Sequence, residues 1–139
     1  MEENVFADLA SPRGKYSHFK RAGDFIYVSG ISSRRPDQSF EGAATDAAGA
    51  VTLDIRAQTR AVLINIGVIL ERAGSSLADL VQVTCYLVDM NDFEDYNQVY
   101  GEFFSQSGPT RTTVAVHQLP HPHILIEING VAFKPSQKV

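Results

Sequence analysis

The chain has 139 residues, of which 44% are hydrophobic and 20% charged, the balance of one globular domain that buries a real core. Sixteen acidic against twelve basic residues leave a net charge of −4. That sign disfavours nucleic acid as the main partner, because phosphate neutralisation needs a basic surface. One cysteine, Cys85, excludes an internal disulfide framework and a Cys-based zinc cage, and its apolar surroundings mark it as a small core residue. No stretch approaches 18 apolar residues, and Met1-Glu2-Glu3-Asn4 lacks the start of a signal peptide, so a cytoplasmic protein with no membrane partner is expected.

The charges are unevenly spread. Arg13, Lys15, Lys20, Arg21, Arg34 and Arg35 place six of the twelve basic residues within the first 35 positions, whereas Asp89, Asp92, Glu94, Asp95 and Glu102 crowd a later stretch. Two readings are open: solvated faces of opposite sign, or a basic arm that holds a small anion or a neighbouring subunit.

In chain order, positions 1–12 read as a loosely ordered arm of a single domain spanning 1–139. Tyr16 to Lys20 and Phe25 to Ser29, separated by Arg21-Ala22-Gly23-Asp24, predict a β-hairpin. Pro36 ends any central strand, and the Gly-, Ala-, Asp- and Ser-rich stretch to Gly49 predicts an exposed loop. Val62, Ile66, Ile69, Leu70 and Ala73 recur at helical spacing within a helix from about Leu53 to Ala73, with Gly74 as its stop. Val81 to Val88 reads as a buried strand. A second helix follows Asn91-Asp92, with Phe93, Tyr96, Tyr100, Phe103 and Phe104 on one apolar face and Asp92 with Asp95 resembling a capping box. Thr110 to His117 and Ile124 to Phe133 are the last two strands. This order predicts an α+β two-layer sandwich, a mixed β-sheet with two helices packed on one face.

Alternation along the last strands sets Arg111, Thr113 and Ala115 against Thr112, Val114 and Val116, and Glu127 against the isoleucines 124, 126 and 128. Arg111 and Glu127 are thereby expected on the faces opposite the apolar ones. A charge within a strand needs a partner or a solvated cavity. Arg111 is an edge-strand arginine, or an ion-pair partner of Glu127, or a bidentate clamp on a substrate carboxylate beside which Glu127 handles a proton or a water. His121-Pro122-His123, with His117 nearby, reads as a polar loop or as two imidazoles offered to a metal that lacks a clear third ligand. No phosphate-cradling glycine loop is present, and Ser29, Ser32 and Ser33 lack a nucleophile-elbow context.

Several segments carry a resemblance. Tyr27-Val28-Ser29-Gly30, the run from Asp92 to Phe104, Gly108-Pro109-Thr110-Arg111-Thr112-Thr113-Val114, and Leu119-Pro120 through Ile126-Glu127-Ile128 resemble the Rid (reactive intermediate deaminase, YjgF) family. The likeness runs from about Gly14 to Phe133. It implies a homotrimer of chorismate-mutase-like subunits with sites in the clefts between neighbours, pairing of trimers being left open. It also implies hydrolysis of enamines and imines to ketones and ammonia without metal or organic cofactor. Pro12-Arg13-Gly14-Lys15, Ser32-Ser33-Arg34-Arg35-Pro36-Asp37 and His117 to His123 look like the branch acting on 2-aminomuconate, a dicarboxylate enamine of bacterial aromatic degradation. By resemblance, Arg111 is the carboxylate-binding arginine and Glu127 the water-positioning glutamate, both catalytic. Tyr16, Ser29, Asn97 and Thr113 line or support the pocket. A second carboxylate calls for a further cation from Arg34, Arg35, His121 or His123. Ile31 and Thr113 stand where many members carry glutamine and cysteine, which fits a differently shaped substrate. Broad imine deamination and a non-catalytic ligand-binding trimer are the alternative readings.

Overall fold

The computed structural model describes residues 4–137. Strands β1 (Phe19–Ala22) and β2 (Phe25–Ile31) form the expected hairpin, turning at Gly23 with φ +59. The hairpin joins β5 (Leu80–Leu87), β6 (Thr110–Ala115) and β7 (Ile126–Phe133) in one sheet of order β1-β2-β7-β5-β6, in which only β5 and β6 run parallel. That parallel pair is the signature of a crossover, and the crossover is helix α2 (Phe93–Phe103). Helix α1 (Ile55–Arg72) lies beside α2, and the two cover one face of the sheet, giving the expected α+β sandwich.

The core is the layer between helices and sheet. Val62, Leu63, Ile66, Ile69 and Leu70 of α1 meet Ile26, Val83, Cys85, Leu87, Ile126 and Ile128, all at most 1% exposed. At about 1.5–3 kcal/mol per buried aliphatic side chain, this layer is the dominant favourable term. Asp54 caps α1, its carboxylate accepting from the Ala57 N–H at 3.1 Å. At the other end Ser75 N–H donates to the Leu70 carbonyl at 2.8 Å while Gly74 takes φ +83. The other sheet face carries no helix and leaves Phe25, Tyr27 and Phe133 between 41% and 49% exposed.

Three local expectations are corrected. The stretch after Pro36 is not all loop, because β3 (Ala43–Thr45) and β4 (Val51–Leu53) pair as a separate hairpin. Its turn is held by the Asp46 carboxylate, which accepts from the N–H groups of Ala48 and Ala50. The Asp92–Asp95 capping box does not form: Asp92 has helical dihedrals (φ −80, ψ 0), from which its side chain cannot fold back on the first turn. Asp89 does that work one turn earlier, accepting from the Asn91 N–H at 2.9 Å ahead of a 3₁₀ turn.

The N-terminal segment is the third correction. Residues 1–3 lie outside the described residues, but 4–12 are tied down by His18, which is 4% exposed. Its Nδ1 accepts from the Phe6 N–H at 3.2 Å, which requires the proton on Nε2, and Nε2 donates to the Ala10 carbonyl at 2.9 Å. Phe6 stacks on the imidazole, Asp8 pairs with Arg72, and Arg34 donates to the Ser11 carbonyl. Replacing His18 with leucine strands two backbone groups, so a loss on the order of 2 kcal/mol is expected in the denaturant midpoint. Proteolysis of residues 4–12 should rise in parallel; an unchanged midpoint would show the arm to be independently held.

Candidate active site

The two side chains at the centre of the sequence argument stand on opposite faces of the sheet. Strand β5 is the common reference: Val83 pairs with Arg111 on one side, and Tyr86 pairs with Glu127 on the other. Positions three apart on a strand point to opposite faces, so Arg111 shares the helix-covered face of Val83, while Glu127 shares the uncovered face of Tyr86. The expectation that Arg111 faces away from the apolar layer is therefore overturned. Its guanidinium carbon lies over three rings of α2, at 4.5 Å from Tyr100, 5.1 Å from Tyr96 and 5.8 Å from Phe93. The strand is an edge strand, so a charge on its inward face still reaches solvent past the helix. Nor does Arg111 pair with Glu127. Among the described residues, Arg111 has no hydrogen-bond or ion-pair partner.

Around Arg111 the chemistry is polar but neutral. The hydroxyls of Tyr96 and Thr113 hydrogen-bond at 2.6 Å. Burial pushes the Cys85 thiol up to about 11, so it is a thiol rather than a thiolate at neutral pH, and the Tyr100 phenol is pushed up to about 12 for the same reason. Asn97 lies on the exposed side of α2, without a hydrogen-bond partner among the described residues.

Glu127 sits half-buried against Gly30. A Cβ on that glycine would meet the Glu127 Oε1 at 2.6 Å, so the missing side chain makes the slot the carboxylate occupies. Burial raises the pKa of Glu127. Gly30 also lines a cavity of about 60 Å³ with Tyr16, His18, Ser29, Ile31 and Arg34. The Ser29 hydroxyl donates to the Ser17 carbonyl at 2.7 Å, which secures the cavity wall rather than offering a free donor.

The four candidate cations divide. Arg34 lines the cavity, oriented by Gln38 Oε1 at 2.7 Å and the Ser11 carbonyl, and meets no carboxylate among the described residues. Arg35 turns away and is spent on Glu41 at 2.5 Å. His121 accepts from the His123 N–H and leans on Phe40. Partial burial, with His123 and Arg13 close by, holds His121 below the ordinary histidine range and so neutral at pH 7. Among the described residues no group of three or more His, Cys, Asp and Glu is placed to hold a metal ion.

The sequence model of the endoribonuclease L-PSP family matches residues 7–134. The chain belongs to that family, the Rid or YjgF family of the motif resemblance. It is 43% identical to a RutC family protein of Pyrococcus horikoshii over 135 residues, covering 96% of this chain and 99% of that one. Among solved structures, yeast Mmf1 superposes with a TM-score of 0.80 at 28% identity, covering 96% of this chain and 98% of its own. Escherichia coli TdcF with bound serine does so at 0.77 and 27%, covering 96% of this chain and 99% of its own. TdcF is described as a candidate reactive intermediate deaminase. The family's fold is thus the sandwich described above.

Two site residues carried no signal of their own in the sequence reading. Gly30 acquires its role only through the cross-strand approach of Glu127, and His18 only through contacts with an aperiodic arm. Gly30→Ala is expected to keep the melting temperature within about 2 °C, since the clash falls on the flexible end of Glu127. Ammonia release from any enamine substrate should nevertheless fall at least about tenfold as the carboxylate is displaced. Parental turnover in that variant would remove the slot from the site.

Proposed function

We propose that this protein is a cofactor-free hydrolytic deaminase of the cytoplasm that converts 2-aminomuconate to 4-oxalocrotonate and ammonia. The observation that carries the reading is the half-buried Arg111, a planar donor fork kept clear of every acidic side chain described. A fork so presented suits a carboxylate, bound by two parallel hydrogen bonds. Arg34 is a second arginine without an acid partner, and a substrate with two carboxylates accounts for both. The cavity that Arg34 lines has room for a carboxylate.

Because Arg111 and Glu127 lie on opposite faces of one chain, the reading requires that neighbouring subunits supply them to a shared site. A homotrimer does this, with the uncovered sheet face, including Tyr27 and Phe133, turned toward its neighbours. Arg111 of one subunit would fix the carboxylate next to the amino carbon. Carbon protonation of the enamine gives an iminium, water adds at that carbon, and ammonia leaves from the carbinolamine, so that one water is consumed for each ammonia released. Glu127, its pKa raised by burial, would hold the water and relay the protons.

The similarity to TdcF favours a second reading, broad imine deamination acting on compounds such as 2-aminoacrylate. RNA cleavage, which the family's name carries, gains little support from the charge distribution. The net charge is −4, and Arg35, Arg56, Arg60 and Arg72 are paired with Glu41, Asp95, Glu102 and Asp8.

Ammonia release from enzymatically generated 2-aminomuconate and from 2-aminoacrylate separates the two deaminase readings. Dedicated activity predicts that Arg34→Gln raises KM for 2-aminomuconate at least about tenfold while leaving 2-aminoacrylate turnover unchanged. Arg111→Lys, which keeps charge and loses the fork, should cost about 100-fold in kcat/KM on either compound. Equal use of both compounds by the parent, insensitive to Arg34, would favour the broad reading.

A further inference from the structure

The aromatic face of α2 looks at first like ordinary core, and Tyr96, fully buried, is part of it. Its relation to Arg111 is more specific. A buried arginine is usually oriented by an acidic partner, which neutralises it and occupies its donors. Here no acid does so. The guanidinium rests instead on the faces of Tyr100, Tyr96 and Phe93, which recur at three- and four-residue spacing and so form one continuous tray along the helix. Ring faces attract a cation through their quadrupole without removing its charge or accepting its N–H groups in the guanidinium plane.

We propose that Tyr100, Tyr96 and Phe93 are positioning residues that hold the Arg111 fork in one plane while leaving its charge and its donors open to a substrate carboxylate. The proposal rests on the reading of Arg111 as a carboxylate clamp, and assigns the clamp's orientation to the rings. Two further observations fit. The Tyr96 hydroxyl bonds Thr113, the next residue but one on the same face of β6, so the ring is fixed to the strand that carries Arg111. The Tyr100 hydroxyl is buried without a hydrogen-bond partner among the described residues, an arrangement that costs stability and that a phenylalanine would avoid. It is therefore the ring of Tyr100, and not its hydroxyl, that serves Arg111.

Binding separates this from a core role without recourse to turnover. Muconate, a stable dicarboxylate that lacks the amino group, is titrated calorimetrically into the full-length parent protein and its variants. Tyr100→Phe should bind within about twofold of the parent and unfold at a higher temperature. Tyr100→Leu, which keeps an apolar side chain and removes the ring face, should bind about tenfold more weakly, and Phe93→Leu, at the half-buried edge of the tray, about threefold. Should Tyr100→Leu fail to fold, Phe93→Leu decides. A folded Tyr100→Leu or Phe93→Leu protein with parental affinity overturns the positioning role, as does a Tyr100→Phe protein that loses affinity as Tyr100→Leu is expected to. Arg111→Lys tells the two failures apart: parental affinity there sinks the clamp itself, whereas lost affinity there with parental ring variants sinks only the tray.

Discussion

The alternation of side chains across a β-sheet is the constraint on which everything else depends. Arg111 pairs with Val83 and Glu127 with Tyr86, and three residues along one strand turn a side chain to the other face. No rotamer change carries a side chain through a hydrogen-bonded sheet. The fork and the carboxyl are thus two halves of the proposed site that a single chain keeps apart, one under a helix edge and one on the uncovered face. Assembly is then a condition of the proposed chemistry rather than an addition to it. The same arrangement keeps Glu127 apart from Arg111 and leaves its pKa raised by burial.

Charge pairing sharpens the picture. Four arginines meet surface carboxylates, and such exposed pairs add little stability, commonly under about 1 kcal/mol each. Their significance here lies in which cations they occupy. Arg35 is spent on Glu41, while its neighbour Arg34 lines the cavity; adjacent arginines that look equivalent in the sequence diverge because successive residues of extended backbone point to opposite sides, both lying ahead of the Pro36–Asp37 turn that the Arg35–Ser39 backbone hydrogen bond closes at 2.7 Å. Arg111 is left on its aromatic tray. Of the four arginines without a carboxylate partner among the described residues, Arg13, Arg21, Arg34 and Arg111, it is Arg34 that lines the cavity and Arg111 that rests on the rings.

Much of the fold was legible in the residues. The spacing of Val62, Ile66, Ile69 and Leu70 announced α1, and its bounds came close because Asp54 and Gly74 carry the chemistry of helix ends. The order of elements led to the mixed sheet, since strand–helix–strand connections leave few topologies. What resisted was non-local. Ala43–Thr45 and Val51–Leu53 are each three residues long, too short for alternation to show, and become strands only through the Asp46 turn. The face of Arg111 was misjudged because the valine of β6, Val114, lies on the uncovered face, so that the more apolar side of the strand is not the one that meets the helix. The capping box failed since its residue types were right and its backbone was not. Within the site, residue identity pointed to Arg111 and Glu127, but the slot at Gly30 and the split between Arg34 and Arg35 depend on contacts that residue types do not encode.

The most direct test of the composite site mixes two inactive chains. Arg111→Lys and Glu127→Gln proteins, each nearly devoid of ammonia release from 2-aminomuconate, are unfolded together in equal amounts and refolded. If one subunit supplies the fork and its neighbour the carboxyl, every mixed trimer regains one intact site, and the mixture should recover about a quarter of parental turnover. Recovery no greater than the sum of the two variants refolded separately would show that each chain carries its whole machinery, and would contradict the account.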